Sequence, residues 1–193
     1  MKVAYLCGNI LMIIMEDKKK KIYILLMHTK TIPSKLVKLF TRYEYSHVAI
    51  ALEESCYKTY SFGRKSLYNI LNGGLSIQKK DGIFFTKFNK SVCKIYELEV
   101  TDKQYEDAKK ILENMEENID QYKYDFLGIV PRWFKIPVSF KDKFVCSFFV
   151  AYVLDKSNIY KFEKNISLTV PKDFENLKGA KEIYNGSYLE YNV

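Results

Sequence analysis

The clearest pattern along the chain is a series of short apolar runs separated by polar turns. Residues 21–27 (KIYILLM) form an almost continuous apolar run, which is typical of a buried strand. Residues 45–52 (YSHVAIAL) predict a second strand, and residues 56–62 (CYKTYSF) predict its return strand in a hairpin. Residues 82–85 and 92–100 (VCKIYELEV) predict two further strands. The apolar pattern therefore indicates a sheet.

Two segments have the apolar spacing of helices. Residues 101–118 open with Thr101 and Gln104, the pattern of a capping box, and continue with one apolar stripe. Residues 144–154 (FVCSFFVAYVL) predict a second, buried helix, because apolar side chains recur three, four, seven and eight positions after Cys146.

The remaining segments predict connections. Pro33 stands where a helix over residues 34–43 would begin, and Pro171 precedes a short helical turn. Residues 63–82, with their Asn-Gly-Gly turn, predict a loop, whereas residues 120–140 are aromatic and too rich in proline for a long helix. No repeat or linker divides the sequence, so we expect one α+β domain over residues 15–193, with an antiparallel sheet packed against helices.

Residues 1–14 are an apolar extension of uncertain status. One lysine precedes about a dozen mostly apolar residues, which resembles a signal-peptide core but is too short to span a bilayer as a helix. No small-residue cleavage site follows, and the alternative is that the functional chain begins at Met15. We expect a cytoplasmic protein, or a membrane-associated or exported one if this segment acts as a targeting sequence.

Composition narrows the classes of partner and site. A chain of 193 residues can bury a sizeable core, and its net charge of +8 favours anionic surroundings such as phospholipid head groups or cell-wall polymers. An ordinary lysine-rich surface is the alternative, and no motif indicates specific nucleic-acid binding. The four cysteines and two histidines lack metal-ligand spacing, so we expect no metal site. Four cysteines in a chain of this length are also not a disulfide framework, which favours a reducing compartment.

Two residues could form a nucleophile and its base. His47 shares its predicted strand face with Ala49 and Ala51, which are small enough to let a helix approach closely. Cys146 lies in the first turn of the predicted buried helix, where free N–H groups and the helix dipole favour a thiolate. If the alanine-lined face packs on that helix, the two side chains meet. Each residue type is more often an ordinary core residue, so the residue types alone leave both interpretations open and favour the core one.

Several segments together resemble a known family. They occur in the same order as the landmarks of the permuted papain-like proteins of the YiiX/YaeF type, which are relatives of NlpC cell-wall peptidases and lecithin:retinol acyltransferases. The similarity covers about residues 21–177. The histidine strand precedes the cysteine helix, as in that group. The segments are IYILLMHTKTIPSKLVKLFTRYEYSHVAIAL, TYSFGRKSLYN, YKYDFLG, KFVCSFFVAYVL and SLTVPKDF.

The resemblance implies a circularly permuted papain-like, NlpC-type fold in a thiol protease, amidase or acyltransferase. Cys146 would be the nucleophile and His47 the base, acting on an amide or ester bond in a cell-wall peptide, another amide or a lipid. A third polar group should follow on the strand after His47, where Ser61 is preferred and Tyr60 is the alternative. No metal or organic cofactor is implied.

Other positions qualify this expectation. Tyr124 and Ser147 would line the site, but Phe148 stands where relatives have Glu, and the strand after His47 lacks a carboxylate or amide. These departures favour a rival interpretation, a weak or inactive binding module of the same fold.

A third possibility is a basic peripheral membrane protein. Residues 131–140 (PRWFKIPVSF) would suit a lipid or an anionic polymer, although such a segment is more often a buried loop.

Overall fold

The centre of the fold is one eight-stranded sheet, seen in a computed structural model that describes residues 19–28, 43–65 and 72–192. The strands are β1 (Lys20–His28), β2 (His47–Ala51), β3 (Lys58–Arg64), β4 (Gly73–Lys79), β5 (Val92–Val100), β6 (Lys123–Tyr124), β7 (Lys143–Phe144) and β8 (Ala180–Ser187). They lie in the order β7-β6-β4-β3-β2-β1-β5-β8. The β6–β7 pair is parallel, and the other pairs are antiparallel.

The helices of the described residues are short except for two. They are α1 (Ile83–Lys87), α2 (Asp102–Glu117), α3 (Ile129–Trp133) and α4 (Cys146–Lys156), with 3-10 turns at Ile166–Leu168, Pro171–Phe174 and Tyr188–Glu190. At the start of α2, the Thr101 hydroxyl accepts from the Gln104 N–H, and the Gln104 side chain accepts from the Thr101 N–H. This is the capping box that the sequence predicts.

The sheet buries apolar side chains on both faces. On β1, Ile22, Ile24 and Leu26 belong to a first cluster, while the alternate side chains belong to a second cluster on the opposite face. Helices α2 and α4 contribute to the first cluster. The second cluster is covered by α1 and by the C-terminal segment around Tyr188. Burial on both faces explains why β1 has a continuous apolar run instead of an alternating pattern.

Most of the predicted elements are confirmed, including the strands at 21–27, 45–52, 56–62 and 92–100, both long helices and the turn after Pro171. The α+β class and the mainly antiparallel sheet are confirmed as well. The apolar extension at 1–14 and the helix expected after Pro33 lie outside the described residues.

Two of the predicted segments are wrong, and one strand was not predicted. The strand expected at 82–85 is helix α1, because an apolar run this short does not distinguish the two structures. The expected loop at 63–82 contains β4, and β8 lies where the sequence predicted no element. The glycines that begin β4 allow a neighbouring backbone to approach: a Cβ on Gly74 would collide with the Tyr122 carbonyl oxygen.

Candidate functional site

Cys146 is the first residue of α4, and backbone N–H groups near its thiol affect the thiol's pKa. No side chain caps this helix, and its first turn contains no acidic residue. The backbone N–H groups of Val48, Ser147 and Cys146 itself lie close enough to the sulfur to lower its pKa. The Val48 group comes from β2, so the helix start and the strand start meet at the sulfur.

Burial nevertheless has the larger effect on this thiol. It raises the pKa of Cys146 more than the three backbone groups lower it, so the net shift is upward. The backbone groups at the helix start act in the direction that the sequence predicts, but burial outweighs them. The thiol is protonated at neutral pH.

His47 is the first residue of β2 and is half-buried. Burial lowers the pKa of its imidazole to about 4, so the ring is neutral at pH 7 and can accept a proton. Gly63 lies on the neighbouring strand β3, and a Cβ there would lie 3.5 Å from Cε1 of His47. The ring therefore fills the space above a glycine across from it.

The alanine-lined face of β2 does not pack on the cysteine helix as expected. Ala49 and Ala51 belong to the second cluster, whereas Val48 and Ile50 pack in the first cluster with Cys146. Alternation along a strand predicts which residues share a face, but it does not identify the element that covers the face. The helix covers the side of β2 with the larger aliphatic side chains.

Cys146 and His47 are neighbours through Val48, but no hydrogen bond between described residues joins the thiol to the imidazole. Val48 directly follows His47 in the chain, and its N–H lies at the sulfur. Alternation along β2 places the His47 side chain with Ala49 and Ala51, on the face opposite the one that α4 covers, and both groups are neutral. A direct thiol–imidazole contact needs a further local rearrangement.

The two candidates for a third residue make other contacts. The Ser61 hydroxyl donates to the Val48 carbonyl oxygen at 2.5 Å. The Tyr60 hydroxyl donates to the carboxylate of Glu116 on α2 at 2.9 Å. Within the described segments, neither hydroxyl forms a hydrogen bond with His47. Ser61 instead fixes the backbone of the residue that contacts the thiol.

Ser147 and Tyr124 were both expected to line the site, and they differ in their relation to the Cys146 thiol. The Ser147 hydroxyl is buried and donates to the Thr169 carbonyl oxygen at 2.5 Å, so it anchors the start of α4 to a later loop. Tyr124 lies near enough to Cys146 for their charges to interact. Burial is the main cause that raises the pKa of its phenol, and Cys146 is the next. Tyr124 therefore lies in the electrostatic neighbourhood of the thiol, whereas Ser147 has a structural contact.

A buried ion pair beside Tyr124 was not predicted from the sequence. The Asp125 carboxylate and the Arg132 guanidinium approach to 2.7 Å, with Asp125 fully buried. The other carboxylate oxygen accepts from the Gly128 N–H at 2.9 Å. A Cβ on Gly128 would collide with both members of the pair, which explains the glycine there.

Phe148 packs against the same pair. The Arg132 guanidinium lies 5.7 Å from the centre of the Phe148 ring, a distance suited to a cation–π contact. The Phe148 side chain therefore supports the arginine through a ring face. The sequence contained one signal, since Asp125 and Arg132 are the sole acidic residue and the sole arginine between residues 121 and 141.

A cleft of about 310 Å³ lies beside this group. Its walls include Lys123, Tyr124, Asp125, Leu127 and Lys143. Two lysines at its border favour anionic ligands. Through Tyr124, the cleft is next to the surroundings of the cysteine.

The described residues contain no group of three His, Cys, Asp or Glu side chains arranged to hold a metal ion. In the same parts of the chain, no helix is long and apolar enough to cross a membrane.

Protein-family models, curated proteins and solved structures provide no match to this chain. The class defined by the structure is therefore a mixed α+β protein with an eight-stranded, mostly antiparallel sheet. Its distinguishing feature is a buried cysteine at a helix start, beside the strand that begins with histidine.

Proposed function

We propose that the chain is a cysteine-dependent hydrolase or acyltransferase of the permuted papain-like, NlpC-type class. Cys146 is the nucleophile, His47 is the general base, and the substrate contains an amide or ester bond. The observation that carries this proposal is the position of the thiol, at the first residue of α4 and close enough to the backbone of Val48, the residue after His47, for that backbone to lower its pKa.

The neutral state of both groups defines the order of proton transfer. The imidazole accepts the thiol proton as the sulfur attacks the carbonyl carbon, and the carbonyl oxygen becomes an oxyanion. Backbone N–H groups at the start of α4 are available to stabilise that oxyanion. The imidazolium then protonates the leaving amine or alcohol. Water or another acceptor attacks the acyl-enzyme and releases the thiol.

Alkylation of individual cysteines by iodoacetamide tests the pairing of His47 with Cys146. Cys56 and Cys93 serve as internal controls, because both are fully buried and burial raises the pKa of each to about 12. Mass spectrometry should find Cys146 modified faster than either control at neutral pH. His47→Ala should slow the modification of Cys146 by at least about tenfold, as expected for loss of a general base.

Two outcomes oppose the enzyme proposal. One is that Cys146 reacts as slowly as Cys56 and Cys93 in the native protein. The other is that His47→Ala leaves the rate at Cys146 unchanged while the rates at the two controls show that the fold is intact. Release of nitrophenol from an activated ester, with an initial burst that Cys146→Ala removes, would support acyl-enzyme formation.

A non-catalytic binding module is the second candidate. It is favoured by the missing thiol–imidazole hydrogen bond in the described residues and by Phe148, which packs on Arg132. In that case the cleft beside Tyr124 binds its ligand equally well after Cys146→Ala, and no burst is observed.

A further inference from the structure

Residues 126–140 present apolar side chains to solvent. The exposed fractions are 73% for Leu127, 57% for Val130, 73% for Phe134 and 54% for Ile136. Helix α3, at the centre of this segment, has no buried residue. The expectation of a buried loop at 131–140 is therefore wrong. We call the segment the 126–140 surface.

The outward orientation is fixed by contacts on the inner side of the segment. Arg132 pairs with buried Asp125 and also donates to the Val138 carbonyl oxygen at 3.0 Å. The N–H groups of Phe134 and Ile136 both donate to the Pro131 carbonyl oxygen at 3.0 Å, which closes a tight turn. The polar groups thus hold the segment from within, and the apolar side chains remain outside. The exposure of these apolar side chains is therefore fixed by the fold of the segment.

The charges at the border of the 126–140 surface are mostly positive. Residues 126–141 contain no Asp or Glu, and Lys135 and Lys141 are exposed within them. Lys123 and Lys143 flank the segment on β6 and β7. Asp125 is neutralised by Arg132, so the nearest remaining carboxylate is that of Asp142, which stands between two lysines.

We propose that the 126–140 surface docks on an anionic lipid bilayer. Leu127, Val130, Phe134 and Ile136 would enter the interface between head groups and acyl chains. Their lysine neighbours would lie at the level of the phosphates, with the aliphatic stems along the apolar surface. This surface is independent of the chemistry proposed for Cys146.

Charge favours a bilayer over a second copy of the chain. A symmetric dimer through this surface would bring lysines against lysines, with no acidic side chain in residues 126–141 to pair with them. A lipid surface supplies both the apolar layer and the negative charge. The observed combination therefore matches a membrane better than self-association.

Vesicle co-sedimentation of the full chain tests the proposal. Two vesicle types are compared: phosphatidylcholine alone and phosphatidylcholine with phosphatidylserine. We expect binding to the anionic vesicles that weakens with salt. The double variant Leu127→Glu, Phe134→Glu should lower the partition coefficient for anionic vesicles by at least about tenfold. Ile83→Glu is the matched control, because Ile83 is 77% exposed on α1, which covers the second cluster.

Several results distinguish the alternatives. Equal binding by the double variant and the wild type would overturn the proposal, and so would absence of binding to anionic vesicles. A dimer in solution that the double variant disperses would identify a second copy as the occupant instead. Cys146→Ala should bind vesicles normally, so failure of the proposed chemistry and failure of membrane docking are separate outcomes. Unchanged thermal unfolding of the variants would establish that they are folded.

Discussion

At the start of β2, burial sets the protonation of both reactive side chains. It raises the pKa of Cys146 and lowers that of His47 to about 4, so neither group is charged at neutral pH. A preformed thiolate–imidazolium pair would require charges in a site that penalises them. The chemistry proposed for this site therefore depends on proton transfer during attack.

Acidification should destabilise the protein through His47. The unfolded chain takes up a proton near the ordinary histidine pKa of 6.5, while the folded imidazole remains neutral down to about 4. The free energy of unfolding should therefore fall as pH drops through this window. The full effect, reached below pH 4, is about 3 kcal/mol.

Urea unfolding of the wild type and His47→Gln, from about pH 7.5 to pH 4.5, measures this contribution. The variant should show a shallower decline, and His28 contributes equally to both proteins. Parallel pH profiles would show that His47 is not the group responsible.

The buried Asp125–Arg132 pair makes a second prediction at this scale. Asp125→Ala leaves the Arg132 guanidinium without its carboxylate, which should lower the free energy of unfolding by about 3 to 5 kcal/mol. Asp107→Ala is the control, because it breaks the largely exposed pair with Lys103 and should cost at most about 0.5 kcal/mol. Equal losses in chemical denaturation would contradict the structural importance of the buried pair.

Among the elements, α2 depends on a reciprocal cap at Thr101. Replacing Thr101 with Ala removes the acceptor for the Gln104 N–H and should destabilise the protein by about 1 kcal/mol. Thr101→Ser retains the hydroxyl and should remain within a few tenths of a kcal/mol of the wild type. Thermal unfolding that does not separate the two variants would mean that the helix start adds little to global stability.

The elements that could be predicted are those whose own sequence contains the determining pattern. The cap and apolar stripe of α2 are local, and so is the apolar run of β1. Strand β4 begins with glycines, which in a sequence suggest a turn. Their structural reason is the close approach of the backbone that leads into β6. Strand β8 is polar because it lies at the sheet edge, where pairing with β5 supplies its contacts. Such tertiary neighbours are not visible in a single sequence.

For the candidate site, the sequence indicates the residue types but not their neighbours in the fold. Thiol and imidazole chemistry, together with the family resemblance, selected Cys146 and His47. The side of β2 that α4 covers could not be derived from alternation. The pairing of Asp125 with Arg132 depends on how residues 126–131 turn back on themselves, which a short irregular segment does not encode in a recognisable pattern.

Over the whole molecule, the candidate functional features lie toward one side of the sheet order. Strands β6 and β7 flank the 126–140 surface, and Tyr124 on β6 connects the cleft with Cys146. The opposite end of the sheet is formed by β5 and β8. This side of the molecule thus combines Cys146, the cleft and the exposed apolar surface.

Strand β8 also determines when the second cluster can close during synthesis. Tyr188 follows this strand directly, is fully buried, and donates its hydroxyl to the Cys56 carbonyl oxygen at 2.7 Å. Residues 23–56 therefore leave the ribosome well before the segment that covers them. Until residues 180–191 emerge, α1 alone can cover that face of the nascent sheet, and its two thiols, Cys56 and Cys93, are less protected from water than in the folded protein.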